Sequence, residues 1–173
     1  MQKSKITTIV GTRPEIIRLS ATISLFEKHF EHRLIHTGQN SANFMKDIFF
    51  EELGLRKPDL EIQFENISLA TNLATILVGV EKDLLENRPD AVVVLGDTNS
   101  ALSVIIAKRM GIPVYHLEAG NRSFDPNVPE EINRKLVDHS SDFNLVYSEH
   151  ARRNLLNEGI FPRNICLIGS PMN

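Results

Sequence analysis

Apolar side chains along the chain fall into two alternating patterns. Short runs rich in β-branched residues, at Ile6–Val10, Arg33–His36, Leu60–Phe64, Ala91–Leu95, Val114–Leu117, Phe143–Tyr147 and Ile165–Ile168, read as strands. Between them, at about Pro14–Lys28, Ala42–Leu53, Leu69–Asn87, Thr98–Met110, Pro129–His139 and Glu149–Glu158, apolar positions recur at helical period. Nearly continuous apolar strands separated by helices mark a parallel sheet covered on both faces. The pattern predicts a doubly wound, mostly parallel Rossmann-like α/β sheet; right-handed crossovers leave few topologies, and the strand order 3-2-1-4-5-6-7 is expected.

Local signals sharpen several boundaries. Thr12-Arg13-Pro14-Glu15 has the spacing of a capping box with proline near the first helical position, so the first helix is expected just after Gly11. Ser148 is placed to cap the helix that follows it, and Gly54, Gly111 and Gly159 stand where left-handed closing residues are expected.

Composition narrows the class. Of 173 residues, 42% are hydrophobic and 24% charged, ordinary values for a globular domain that exclude disorder as the main state. The net charge of −3 without a Lys/Arg block argues against broad nucleic-acid binding. The single cysteine, Cys166, excludes an internal disulfide or a cysteine-based zinc site, and its position in an apolar strand predicts a buried, inert thiol. No apolar run approaches the roughly 20 residues of a membrane span, and the first residues lack a signal peptide's apolar core, so a cytoplasmic protein without membrane contact is expected.

Ligands of open α/β sheets bind beyond the carboxyl ends of the strands, which directs attention to Gly11–Glu15 after strand one, Thr37–Asn40 after strand two, Gly96–Ser100 after strand four and His116–Arg122 closing strand five. Gly11-Thr12-Arg13 offers backbone N–H groups at a helix start together with a guanidinium, a combination suited to an anion. The Gly-x-Gly-x-x-Gly fingerprint and the Walker lysine are both missing, which disfavours a nicotinamide or flavin cofactor. Asp97 follows the fourth strand, where it could serve chemistry or merely cap the next helix. Glu118 ends a strongly apolar strand, a position that calls for a cleft or a cation such as Arg122. Glu130 and Glu131 open a helix, where carboxylates also suit the dipole. Carboxylates and arginines gathered at one edge are the arrangement expected for acid/base chemistry on an anionic substrate. His36, His116, His139 and His150 show no metal-ligand spacing and read as structural or surface residues, and no metal site is expected.

The same segments carry a family resemblance. Gly11-Thr12-Arg13-Pro14-Glu15-Ile16-Ile17-Arg18, Thr37-Gly38-Gln39, Gly96-Asp97-Thr98, His116-Leu117-Glu118-Ala119-Gly120 and Pro129-Glu130-Glu131-Ile132-Asn133-Arg134-Lys135 together resemble the non-hydrolysing UDP-N-acetylglucosamine 2-epimerases. Asn121-Arg122-Ser123-Phe124-Asp125 with the Val128–Lys135 segment resembles the branch that interconverts UDP-N-acetyl-L-talosamine and UDP-N-acetyl-L-fucosamine. The resemblance implies the N-terminal half of a glycosyltransferase-B-type fold, with the active site in a cleft between two Rossmann-like domains. It implies residues 1–168 as that domain, 169–173 as the start of a hinge, and little turnover by this domain alone. The implied reaction inverts C2 of a UDP-2-acetamido sugar for surface polysaccharide or capsule synthesis, without a cofactor and in a homodimer. Asp97, Glu118 and Glu130 match the family's catalytic carboxylates. Arg13, Arg18, Gln39 and Arg122 are the expected substrate-binding residues, Arg18 standing where the glucosamine branch usually has lysine. A glycosyltransferase of the same architecture and a non-catalytic nucleotide-sugar binding module are the alternatives.

Overall fold

A computed structural model describes residues 3–38, 50–63 and 68–170. Seven parallel strands form one sheet: β1 (Lys5–Val10), β2 (Glu31–His36), β3 (Leu60–Glu61), β4 (Ala91–Leu95), β5 (Val114–Leu117), β6 (Phe143–Val146) and β7 (Ile165–Leu167). Their order, β3-β2-β1-β4-β5-β6-β7, is the predicted one. The helices are α1 (Arg13–His29), α2 (Leu69–Glu86), α3 (Val104–Arg109), α4 (Pro129–Ser140) and α5 (Glu149–Asn157). Most of the predicted helix 42–53 lies outside the described residues, although residues 50–52 are helical.

The pleat divides the core. Ile9, Ile35, Val92, Val94 and Val114 project to one face and pack with Ile76, Val80 and Leu84 of α2, Val104 of α3 and Val137 of α4. Val10, Leu34, Val93, Leu95 and Leu117 project to the other and meet Ile16, Leu19 and Ile23 of α1 together with Phe50. Leu19 and Ile23 are fully buried, each contributing about 2 kcal/mol of apolar transfer free energy. Ala151 and Leu155 of α5 close over Val146 and Ile165.

Coverage is less even than the apolar strands predict. Right-handed crossovers put α1 on one face and α2 to α5 on the other. Past α1, Phe26, Phe30, Tyr115, Leu145 and Ile168 therefore line an open apolar groove of about 600 Å³. Cys166, expected to be buried, is exposed. The predicted helix 98–110 is shorter, because Ala101–Ser103 form a 3-10 turn before α3 begins at Val104.

Candidate active site

The first loop is built around Glu15, which is 2% exposed. Thr12 and Glu15 form the predicted capping box. Glu15 Oε2 accepts from Gly11 N (2.9 Å), Thr12 N (2.6 Å) and Thr12 Oγ1 (2.8 Å), while Oε1 accepts from Thr98 Oγ1 (2.9 Å). These bonds correct one expectation: the N–H groups of Gly11 and Thr12, read as an anion cradle, already hold the chain's own carboxylate. Gly11 is required by packing, since a Cβ there would sit 1.9 Å from Ser100 Oγ and 2.3 Å from Thr37 Oγ1. Burial pushes the pKa of Glu15 above the ordinary carboxylate value, against the pull of its four donors.

Beside this loop opens a cavity of about 240 Å³ at the carboxyl edge of the sheet, lined among others by Glu15, Arg18, Asp97, Thr98, Glu118 and Arg134. Asp97 caps no helix. Its Oδ2 accepts from Arg134 Nε at 2.7 Å and lies 2.6 Å from Nη2. Asn133 Nδ2 donates to the Asp97 carbonyl at 2.9 Å, so α4 holds both the backbone and the carboxylate of this turn.

Glu118 has φ 65°, a left-handed conformation that costs a non-glycine residue on the order of 1 kcal/mol or more. Its carboxylate faces solvent only partly, 18% exposed, and pairs with Arg18 of α1. Asn121 Nδ2 donates to its other oxygen at 3.3 Å. The cation opposite Glu118 is thus Arg18 and not Arg122. Tyr147, at the end of β6, lies near this pair, and its hydroxyl is buried with no hydrogen-bond partner among the described residues. Burial and the Glu118 charge push that phenol up to about 12, with Arg18 opposing.

The other expected site residues are placed differently. Arg122 has a fully buried side chain that meets Asp138 at 2.8 Å and Glu158 at 2.5 Å, so its guanidinium belongs to the interior rather than to the cavity wall. Those two carboxylates outweigh burial, which acts against the charge, and raise its pKa above the usual guanidinium range. Glu130 is exposed in the first turn of α4, whereas Glu131 is 2% exposed and accepts from Ser123 N (2.9 Å), Ser123 Oγ (3.1 Å) and Arg134 Nη1 (3.3 Å). Arg13 is half-buried at the first position of α1. Gln39 lies outside the described residues. Among the described residues no group of three or more His, Cys, Asp or Glu is placed to hold a metal ion, and no helix is long and apolar enough to cross a membrane.

Arg134, Glu15 and Thr98 line the cavity without having been singled out for it. Arg134 stood inside the quoted α4 motif, one turn after Glu130, and that spacing is the signal that could have found it.

A parallel α/β sheet with paired carboxylates and arginines at its carboxyl edge defines a ligand-binding Rossmann-like domain. The sequence model of the family described as UDP-N-acetylglucosamine 2-epimerase matches residues 25–173, and the chain belongs to that family. A UDP-N-acetylglucosamine 2-epimerase of Methanocaldococcus jannaschii is 44% identical over 168 residues, 96% of this chain and 46% of the relative. A UDP-2,3-diacetamido-2,3-dideoxy-D-glucuronate 2-epimerase of Pseudomonas aeruginosa is 38% identical over 158 residues, 90% of this chain and 45% of the relative. The structure of a UDP-N-acetylglucosamine 2-epimerase from Rickettsia bellii matches with a TM-score of 0.91 and 49% identity, over 99% of this chain and 46% of that one. The M. jannaschii UDP-GlcNAc 2-epimerase in complex with UDP-GlcNAc and UDP matches with a TM-score of 0.92 and 44% identity, over 96% of this chain and 46% of that one. The chain spans less than half the length of these relatives.

Proposed function

We propose that residues 1–168 are the N-terminal catalytic domain of a UDP-2-acetamido-sugar 2-epimerase and that 169–173 begin the hinge to a second domain. The observation that carries this reading is the meeting of the Arg18–Glu118 and Arg134–Asp97 pairs in one cavity at the carboxyl edge of the sheet, in a chain that belongs to the epimerase family.

The C2 hydrogen of such a sugar has no neighbouring carbonyl, so direct deprotonation is prohibitively slow. Elimination avoids that barrier: the C1–O bond breaks with its electron pair leaving on UDP, a carboxylate takes the C2 proton, and a C1–C2 double bond forms as a 2-acetamidoglycal. Protonation of C2 on the opposite face and return of the UDP oxygen to C1 complete the inversion. Two faces require two carboxyl groups in opposite protonation states, and Asp97, Glu118 and Glu130 are the candidates for them. Arg13 and Arg18 stabilise charge gathering on the departing diphosphate, with Gln39 as a further substrate contact and the second domain supplying the uridine site. Arg122 acts from the interior, by holding the loop that follows Glu118.

The sugar is of the N-acetyl-L-talosamine/L-fucosamine type, the reading that the Asn121–Asp125 and Val128–Lys135 segments support. N-acetylglucosamine/mannosamine is the alternative supported by the relatives' names. The full-length protein is a cytoplasmic homodimer that makes surface polysaccharide precursors.

Incubating the full-length protein with each UDP-2-acetamido sugar in heavy water tests the reading. Deuterium at C2 together with a new epimer supports it and identifies the substrate. Stoichiometric release of UDP to an added acceptor, without label at C2, replaces it with a glycosyltransferase.

A further inference from the structure

The two turns that carry Asp97 and Glu118 share a buried anchor. His116 on β5 is 1% exposed, and its ring bridges two elements: Nε2 meets the Gly96 carbonyl at 2.7 Å and Nδ1 meets Asp138 Oδ1 at 2.8 Å. Asp138, on α4, is equally buried. Its carboxylate also accepts from Gly120 N, at 3.3 Å to each oxygen, and from Arg122 Nη1 at 2.8 Å.

Gly96 immediately precedes Asp97, and Gly120 lies two residues past Glu118. One imidazole–carboxylate pair therefore fixes the backbone just before one candidate carboxylate and just after the other. A carbonyl oxygen only accepts, so His116 must donate from Nε2. The Nδ1–Asp138 contact then needs a second proton, which makes the pair an imidazolium–carboxylate unit or its neutral, proton-shared equivalent. Arg122, whose side chain is fully buried, and Glu158, which is 26% exposed, extend the unit with one further charge of each sign.

Neither side chain lines the cavity, and no other use for this arrangement is evident in the core. Hydrophobic residues of similar volume would fill the space without burying polar groups that must all be paired. What they would not do is pin two backbone turns. Glu118 in particular sits at φ 65°, a strained conformation that persists only where its surroundings over-determine it. Gly120 completes the restraint: at φ 77° it packs so closely that a Cβ would lie 2.4 Å from the Ala151 carbonyl.

We propose that His116 and Asp138 are positioning residues for the inversion, holding Asp97 and Glu118 at their working separation without touching the sugar. This inference rests on the assignment of those two carboxylates to the chemistry.

The test uses the full-length protein and four variants: His116→Ala, His116→Gln, Asp97→Asn and Glu118→Gln. Displacement of a catalytic group by about 1 Å costs on the order of 100-fold, so His116→Ala is expected to lower kcat by about 10- to 100-fold while KM stays within about threefold. His116→Gln, whose amide donates again to the Gly96 carbonyl, is expected to recover part of kcat at equal thermal stability to His116→Ala. A fall in Tm with kcat intact in both His116 variants overturns the positioning role. Full activity in Asp97→Asn and Glu118→Gln overturns the catalytic assignment instead, so the two failures are distinguishable.

Discussion

Glu15 offers the sharpest test of how the candidate site is held together. Replacing it with alanine removes the acceptor of two backbone N–H groups and two hydroxyls. The Gly11 N–H is buried and costs about 1–3 kcal/mol when left unpaired. The half-buried Thr12 N–H and the lost carboxylate at the α1 N-terminus add about 1 kcal/mol each. Relief of the buried charge returns part of this, leaving about 3 kcal/mol. For a domain of this size that is a fall in Tm of about 6–12 °C. Glutamine behaves differently, because its oxygen accepts from Gly11 N and Thr12 N while its NH₂ donates to Thr98 Oγ1. Glu15→Gln is therefore expected to cost about 1 kcal/mol or less at pH 7.

The two variants also separate by pH. The folded-state pKa of Glu15 is raised, so its contribution to stability is fully present below the unfolded carboxylate value and is lost as pH rises through the folded one. Glutamine does not titrate, and Glu15→Gln should gain on the wild type as pH rises from about 4 to 7. Denaturant unfolding of the domain at several pH values measures both effects. Equal losses from alanine and glutamine, or a Glu15→Ala cost well under 1 kcal/mol, would refute the hydrogen-bond account.

Three further outcomes are expected. Burial, reinforced by Arg56, lowers His32 to about 4, so wild-type stability should fall as pH drops from about 6.5 toward 4, by up to about 3 kcal/mol; His32→Gln should flatten that slope in pH-dependent melting. Asp83→Ala strips Arg33 of a carboxylate that is 4% exposed and bonds its Nε at 2.9 and 3.1 Å, and urea unfolding should register a loss of about 3 kcal/mol. Exposed Cys166 should react with a thiol reagent in the folded domain at a rate within about tenfold of the urea-unfolded chain, whereas strong protection would contradict its exposure.

Much of the fold was legible because it depends on local pattern and chirality. The β4 and β5 boundaries, the capping box at Thr12 and the Ser148 cap, which accepts from Ala151 N at 3.1 Å, are set by neighbouring residues. Right-handed crossovers and short connections cut the possible strand orders to a few, of which the observed one is a member. Contacts made by distant residues were not legible. Arg18 and Glu118 are 100 positions apart, and nothing near Glu118 distinguishes Arg18 from Arg122 as its partner. Asp138 looks like one more polar residue on an amphipathic helix until the fold brings it against His116. Cys166 departs from the expectation because an apolar strand implies two covered faces, and here one face of β7 is open. The Gly11–Thr12 turn does offer N–H groups at a helix start, the feature that suits an anion, but the carboxylate that takes them is the chain's own Glu15.

The central claim is that carboxylates at this sheet edge move the C2 proton of a UDP-2-acetamido sugar. Its most direct test is the rate of deuterium entry at C2, followed by NMR in heavy water, for the full-length protein and its Asp97→Asn, Glu118→Gln and Glu130→Gln variants. The account predicts label in the wild-type product and losses of about 100-fold or more in the variants. Unchanged exchange in all three, or epimer formed without label, would contradict it.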